Sequence, residues 1–217
     1  VAVATSGSGN RVMTSPDGIT WTSRTSAADN EWRSVAWGGP SGSELFVAVA
    51  EDGSGNRVMT SPDGITWTSR TSAADHMWTS VTWGGPAGQE LFVAVAFLAH
   101  SGGRVMTSPD GITWTSRSSP DNNWRSVAWG GPAGRELFVA VGQSGTGNRV
   151  RTSPDGITWT SRTSTADNVW RSVVWGGPAG RELFVAVAES GPGNLVMTSP
   201  DGIIWTPQTS AANYWQA

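Results

Sequence analysis

The chain has 217 residues, a formal net charge of −3, 14 arginines without a lysine, and no cysteine. Disulfides, thiolate chemistry and cysteine-based metal sites are thereby excluded. No basic run is present to hold phosphates, which argues against nucleic acid as a partner, and the longest apolar stretch, Leu91 to Ala99, is too short for membrane insertion as a helix.

In chain order, the residues after Trp32 show one complete unit. Trp32-Arg33-Ser34-Val35-Ala36-Trp37 alternates in character and runs into Gly38-Gly39-Pro40, a turn signal, which predicts a strand A. Leu45 to Ala50 is a continuous apolar run of strand length, expected of a strand B buried on both faces. A Gly/Ser loop from Asp52 to Asn56 leads to strand C, Arg57-Val58-Met59-Thr60. Ser61-Pro62-Asp63-Gly64 then turns the chain into strand D, Ile65 to Arg70. β-Branched and aromatic residues stand where strands favour them.

The Ser-Pro-Asp-Gly turn starts at Ser15, Ser61, Ser108, Ser153 and Ser199, a period near 46 residues, and such a period marks radially arrayed units. Four antiparallel strands per period predict a single all-β domain, a five-bladed β-propeller with units at about 1–31, 32–77, 78–123, 124–169 and 170–217. Strands B, C and D occur five times, but a complete strand A only four times. One blade is therefore expected to carry a truncated inner strand, with the ring closed by pairing of Tyr214 to Ala217 beside Val1 to Ala4.

Asp followed by Gly suits the C–D hairpin turn, because Asp caps nearby amides and Gly takes positive φ at no steric cost. Asp17, Gly18, Asp63, Gly64, Asp110, Gly111, Asp155, Gly156, Asp201 and Gly202 are the expected structural turn residues. The segment Ser-x-Asp-Gly-x-Thr-Trp resembles the motif of Asp-box (bacterial neuraminidase repeat) propellers, Ser-x-Asp-x-Gly-x-Thr-Trp, with one residue fewer between Asp and Gly. The resemblance covers all five units. It implies a structural role for these turns and a bacterial extracellular or surface setting. Sialidase chemistry would need an arginine cluster with a paired tyrosine nucleophile, but the one tyrosine is Tyr214 and the two histidines, His76 and His100, fall in loops of different units. Arg33, Arg125 and Arg171 could ring the axis, yet nothing in the repeats singles out one asymmetric site. No catalytic residue, metal site or cofactor is expected.

Variation among the units concentrates in the B–C and D–A loops, which share one face of a blade array, while the C–D turns stay uniform. Rigid scaffolds place recognition in such loops, so this face is the expected binding face of a non-catalytic scaffold for a glycan or protein ligand. The apolar insertion Phe97-Leu98-Ala99-His100 suits either a contact patch or a fold over the adjacent loop, the packing role being the favoured expectation. The layout of Trp, Pro-x-Gly and Leu-Phe-x-x-Val also resembles five-bladed tachylectin-like lectins. That likeness implies sugar sites between blades, with candidate residues Asp29, Asn30, Trp32, Asp75, His76, Trp78, Asp121, Asn122, Trp124, Asp167, Asn168 and Trp170; the tryptophans serve equally well as core. Residues 10–29 and 56–75 are identical, which points to recent duplication or deliberate design. A monomer is expected, with strand exchange between chains the hazard of identical units.

Overall fold

A computed structural model describes residues 1–97, 103–119, 122–191, 194–211 and 215. All regular structure among them is antiparallel β, in five consecutive meanders. The first sheet has three strands, β1 (Ala2–Val3), β2 (Val12–Thr14) and β3 (Thr22–Arg24). The second comprises β4 (Trp32–Gly38), β5 (Leu45–Ala50), β6 (Val58–Ser61) and β7 (Thr68–Arg70); the third, β8 (Trp78–Gly84), β9 (Leu91–Ala96), β10 (Val105–Ser108) and β11 (Thr115–Arg117). The fourth holds β12 (Trp124–Gly130), β13 (Leu137–Gly142), β14 (Val150–Ser153) and β15 (Thr160–Arg162), and the fifth β16 (Trp170–Gly176), β17 (Leu183–Ala188), β18 (Val196–Ser199) and β19 (Thr206–Gln208). β4, β8, β12 and β16 lie side by side in that order, with β1 beside β4. This arrangement matches the five-bladed β-propeller expected from the repeat. The expected closure by the C-terminal segment involves Tyr214, Gln216 and Ala217, which lie outside the described residues.

Strand B is buried on both faces because sheets stack face to face. In β5, Val47 and Val49 point into one inter-sheet layer and Ala48 and Ala50 into the other, all closed to solvent. Each layer combines valines of one sheet with the opening Trp and the D-strand Trp of the next, and in three of the four layers a Met, as where Val47, Val49 and Val58 meet Trp78, Met106 and Trp114; Arg151 takes the place of the Met in the fourth sheet.

Three devices recur where consecutive inner strands meet. A Cβ placed on Gly38 would lie 2.1 Å from Cγ of Trp83, so the neighbour's ring sits directly on the glycine; Gly84 with Trp129 and Gly130 with Trp175 repeat this at 2.2 Å. The amides of Val81, Val127 and Val173 donate to the hydroxyls of Ser34, Ser80 and Ser126 across the same boundaries, at 3.2, 3.1 and 3.2 Å. Finally, the turn glycines Gly111, Gly156 and Gly202 approach Val47, Val93 and Val139 of the preceding sheet so closely that a Cβ would meet their methyls at 2.7 Å.

The turns themselves are alike in all five sheets. Asp17 Oδ1 accepts from the Ser15 hydroxyl at 2.9 Å and from the amides of Ile19 and Thr20 at 2.8 and 2.9 Å, while the Trp21 indole donates to the Gly18 carbonyl. Gly18 takes φ +75°, where a side chain would be strained. The amide bonds from Thr20 and Ile19, then the Ser15 hydroxyl, hold the Asp17 carboxyl below its ordinary value of 3.8; Thr66, Ile65 and Ser61 do the same for Asp63. At Asp110, Asp155 and Asp201 burial works in the opposite direction, yet the amide and hydroxyl bonds prevail and these carboxyls are also lowered.

Candidate functional site

At the end of the sheets where D–A loops enter and B–C loops leave, a central pocket of about 550 Å³ opens between the inner strands. Arg33, Glu51, Met77, Thr79, Phe97, Arg125 and Arg171 line it. Its geometry begins with a fault in the strand pairing. In the second sheet Trp32 opposes Ala50 but Ser34 opposes Val49, which leaves Arg33 as an extra residue in a β-bulge. The same shift occurs between Trp78 and Ser80, Trp124 and Ser126, and Trp170 and Ser172. A bulge re-aims the side chain it carries, so Arg33, Thr79, Arg125 and Arg171 occupy equivalent bulge positions.

Each bulge arginine has a partner in the residue that follows strand B of its own sheet, and these partners differ. Arg33 Nη2 pairs with Glu51 Oε2 at 2.6 Å and with the more exposed Glu31 at 3.3 Å. Arg171 pairs with Glu189. In the third sheet the positions hold Thr79 and Phe97, and the Thr79 hydroxyl bonds instead to the Trp124 and Val95 carbonyls, at 3.0 and 3.2 Å. In the fourth sheet Arg125 Nε donates to the neutral Gln143 Oε1 at 3.0 Å. Its guanidinium carbon lies 3.5 Å from the centre of the Phe97 ring, and its nearest ion-pair oxygen is Glu51 Oε1, 4.0 Å away.

Arg125 is therefore a cation whose own sheet supplies an amide where its two counterparts have a carboxylate. Burial, then the charges of Arg171 and Arg33, push its guanidinium down to about 10 against the opposing pull of Glu51 and Glu189. It stays protonated at neutral pH. Phe97 and Met77 add an apolar wall beside it.

The residues proposed from sequence as inter-blade sugar contacts serve mainly as internal braces. Trp32, Trp78, Trp124 and Trp170 are closed to solvent at 0–1% exposure, so their ring faces belong to the core and present no sugar platform. The indoles of Trp32, Trp78 and Trp170 donate to the carbonyls of Ala28, Ala74 and Ala166. Asn30 and Asn168 are buried and donate to the Asn56 and Asn194 carbonyls at 2.9 and 2.7 Å, while Asn122 accepts from the Ser144 hydroxyl at 2.7 Å. His76 replaces asparagine at this place, buried with its ring 5.5 Å from that of Trp78. Asp29, Asp75 and Asp167 accept from the amides of Gly9, Gly55 and Gly147 and so tie D–A loops to B–C loops. Asp121 lies outside the described residues, as do Leu98, Ala99 and His100 of the apolar insertion; Phe97 lines the pocket.

Sequence reasoning placed Arg33, Arg125 and Arg171 near the axis but found nothing to break their symmetry. The structure finds the break in their partners, Glu51, Phe97, Gln143 and Glu189. The available signal was the pairing of two variable columns, the second residue of strand A with the first after strand B. Among the described residues no group of three or more His, Cys, Asp or Glu side chains is arranged to hold a metal ion, and no helix is long and apolar enough to cross a membrane.

No protein-family profile and no curated protein sequence matches the chain. Among solved structures it is similar to an N-acetylgalactosamine deacetylase from F. plautii, determined in complex with blood group B trisaccharide, at 15% identity and a TM-score of 0.45, over 83% of this chain and 69% of that one. A likeness this low carries no argument about function.

Proposed function

We propose that the chain is a non-catalytic binding module whose ligand seats on the face of the B–C and D–A loops and places an anionic group in the central pocket. The carrying observation is Arg125, bonded to neutral Gln143, stacked on Phe97 and flanked by Arg33 and Arg171. A carboxylate, sulfate or phosphate there gains charge-assisted hydrogen bonds from a guanidinium that is already partly desolvated. An apolar or ring portion of the same ligand would lie against Phe97 and Met77.

Calorimetric titration with sulfate and with a panel of acidic and neutral glycans tests the reading. Acidic ligands should bind and neutral ones should not. Gln143→Glu, which gives Arg125 the partner Arg171 already has, should weaken binding about tenfold without changing the fold. Equal affinity of the parent and of Gln143→Glu for every ligand would overturn it.

A further inference from the structure

On the face opposite the central pocket, where the A–B hairpins and C–D turns emerge, one groove recurs at consecutive boundaries. Gly39, Pro40 and Glu44 of the second sheet and Trp83, Glu90 and Pro109 of the third line a cavity of about 600 Å³. Gly85, Pro86 and Glu90 of the third sheet and Trp129, Glu136 and Pro154 of the fourth line another of about 830 Å³. These are the same six positions one repeat later, and all lie in sheets of four complete strands. Leu137 and Ile203 extend the apolar wall of the second groove. Polar groups in both grooves stand without partners. The D-strand indoles and those of Trp32, Trp78 and Trp170 donate to carbonyls, but the Trp83 and Trp129 indoles donate to no described residue. Glu44 and Glu90 each accept the hairpin amide of Gly42 or Gly88 with one oxygen, at 3.0 Å. Neither they nor Glu136 forms an ion pair with a described residue. The rings themselves are committed to packing. Trp83 sits on Gly38 with its ring 4.6 Å from that of Phe92, and Trp129 on Gly84 with its ring 4.5 Å from that of Phe138.

We propose that these grooves bind an extended, proline-rich and basic segment of a partner protein. A polyproline II segment makes no internal hydrogen bonds, so its backbone carbonyl is open to the Trp83 or Trp129 N–H. Its proline rings pack on Pro86, Leu137 and Ile203, and the ordering cost is small because the segment is already extended. Its arginine or lysine heads pair with Glu44, Glu90 and Glu136, whose charge no described residue balances at ion-pair distance. A neutral sugar fits less well, because stacking needs an open indole face and these rings already pack on glycine and phenylalanine. Glu90 lines both grooves, so adjoining sites share one anion. Arg135 lines only the second, which makes the first the more selective for positive charge. These sites lie on the face away from the anion pocket and act independently of it.

The test is calorimetric titration of the full chain with the synthetic peptide Pro-Pro-Arg-Pro-Pro-Arg-Pro-Pro. Saturable binding is expected, weakening as salt is raised, and the same peptide with glutamate in place of arginine should not bind. Glu90→Gln keeps an oxygen for the Gly88 amide, so its circular dichroism and thermal midpoint should match the parent, while peptide affinity should fall about tenfold. Glu44→Gln, which touches only the first groove, should show a smaller loss. Gln143→Glu, in the central pocket, should leave peptide affinity unchanged. Absence of saturable binding, equal affinity for the arginine and glutamate peptides, or an affinity unchanged in both glutamate variants overturns the proposal. Lost binding in Gln143→Glu would place the peptide in the central pocket and overturns it as well. So does saturable binding of a neutral glycan that Glu90→Gln abolishes, which would make a sugar the occupant.

Discussion

The boundary between the third and fourth sheets is closed by pairs of residues, whereas on the fifth and first sheets the same devices stand without their second half among the described residues, the first sheet having no described counterpart of Val127 and Trp129. At the former, Trp129 closes on Gly84, the Val127 amide bonds to Ser80 and Gly156 abuts Val93. On the fifth and first sheets, no described residue lies within 4 Å of a Cβ placed on Gly176 or on the turn glycine Gly18. Val185 and Val187, whose counterparts in β5, β9 and β13 are buried, are only partly covered. The contrast shows that the residues of a repeat do not make an interface one sheet at a time. A glycine and a tryptophan, or a serine and a valine amide, contribute only when a neighbour brings the other half, as expected where stability is a sum of unit and nearest-neighbour terms.

The largest effect that sharpens this comparison is steric. Gly130→Val should lower unfolding free energy by about 3 kcal/mol, the upper range for overpacking, because its Cβ would stand 2.2 Å from Cγ of Trp175. Gly176→Val should change it by less than about 0.5 kcal/mol. Urea titration of both variants reads the difference, and equal losses would mean that the fifth sheet is covered after all.

Deleting rings comes next. Trp175→Ala removes a ring that caps Gly130 and lies 4.7 Å from Phe184, and should cost about 2 kcal/mol. Trp37→Ala should cost about half as much, since that ring keeps its contact with Phe46 but has half its surface in water. Thermal melts of the pair decide it; a Trp37→Ala loss as large as that of Trp175→Ala would break the comparison.

Smaller again is the hydroxyl bridge. Ser80→Ala strands the buried Val127 amide and should cost about 1 kcal/mol. Ser172→Ala, whose hydroxyl receives no amide among the described residues, should be neutral in the same urea assay.

Acid has the smallest effect per residue, because the turn carboxylates are largely solvated. Each has its folded pKa lowered, so its stabilisation is fully present above the ordinary carboxyl value of 3.8 and is lost as pH falls below it. Stability should therefore drop progressively below about pH 4. Asp110→Asn should flatten that dependence slightly, and melts between pH 3 and pH 6 would show it. A slope unchanged in Asp110→Asn would remove the turn from the acid response.

Much of the fold was legible in the residues. Leu45 to Ala50 announces a strand covered on both faces, and the Asp63-Gly64 turn has one economical backbone solution. The candidate site was legible only in part. Arg33, Arg125 and Arg171 could be placed near the axis by their shared position in strand A. Their aim depends on a bulge after Trp32, Trp124 and Trp170, and a bulge is a property of pairing with strand B, invisible to periodicity. Trp32 and its repeats offered two roles at once, because an indole suits a core and a sugar platform equally until its neighbours are known.

The sequence by itself determined the strands, their order within each sheet and the Ser-Pro-Asp-Gly turns, because these rest on contacts among residues close in the chain. Tertiary structure alone decided that Gly38, read as the start of a turn, is a seat for Trp83, and that Arg125 lacks the carboxylate partner its counterparts have. The physical reason is separation. Each of those outcomes depends on a side chain in another strand, some 18 to 47 residues away, and local pattern carries no information about whether that partner arrives.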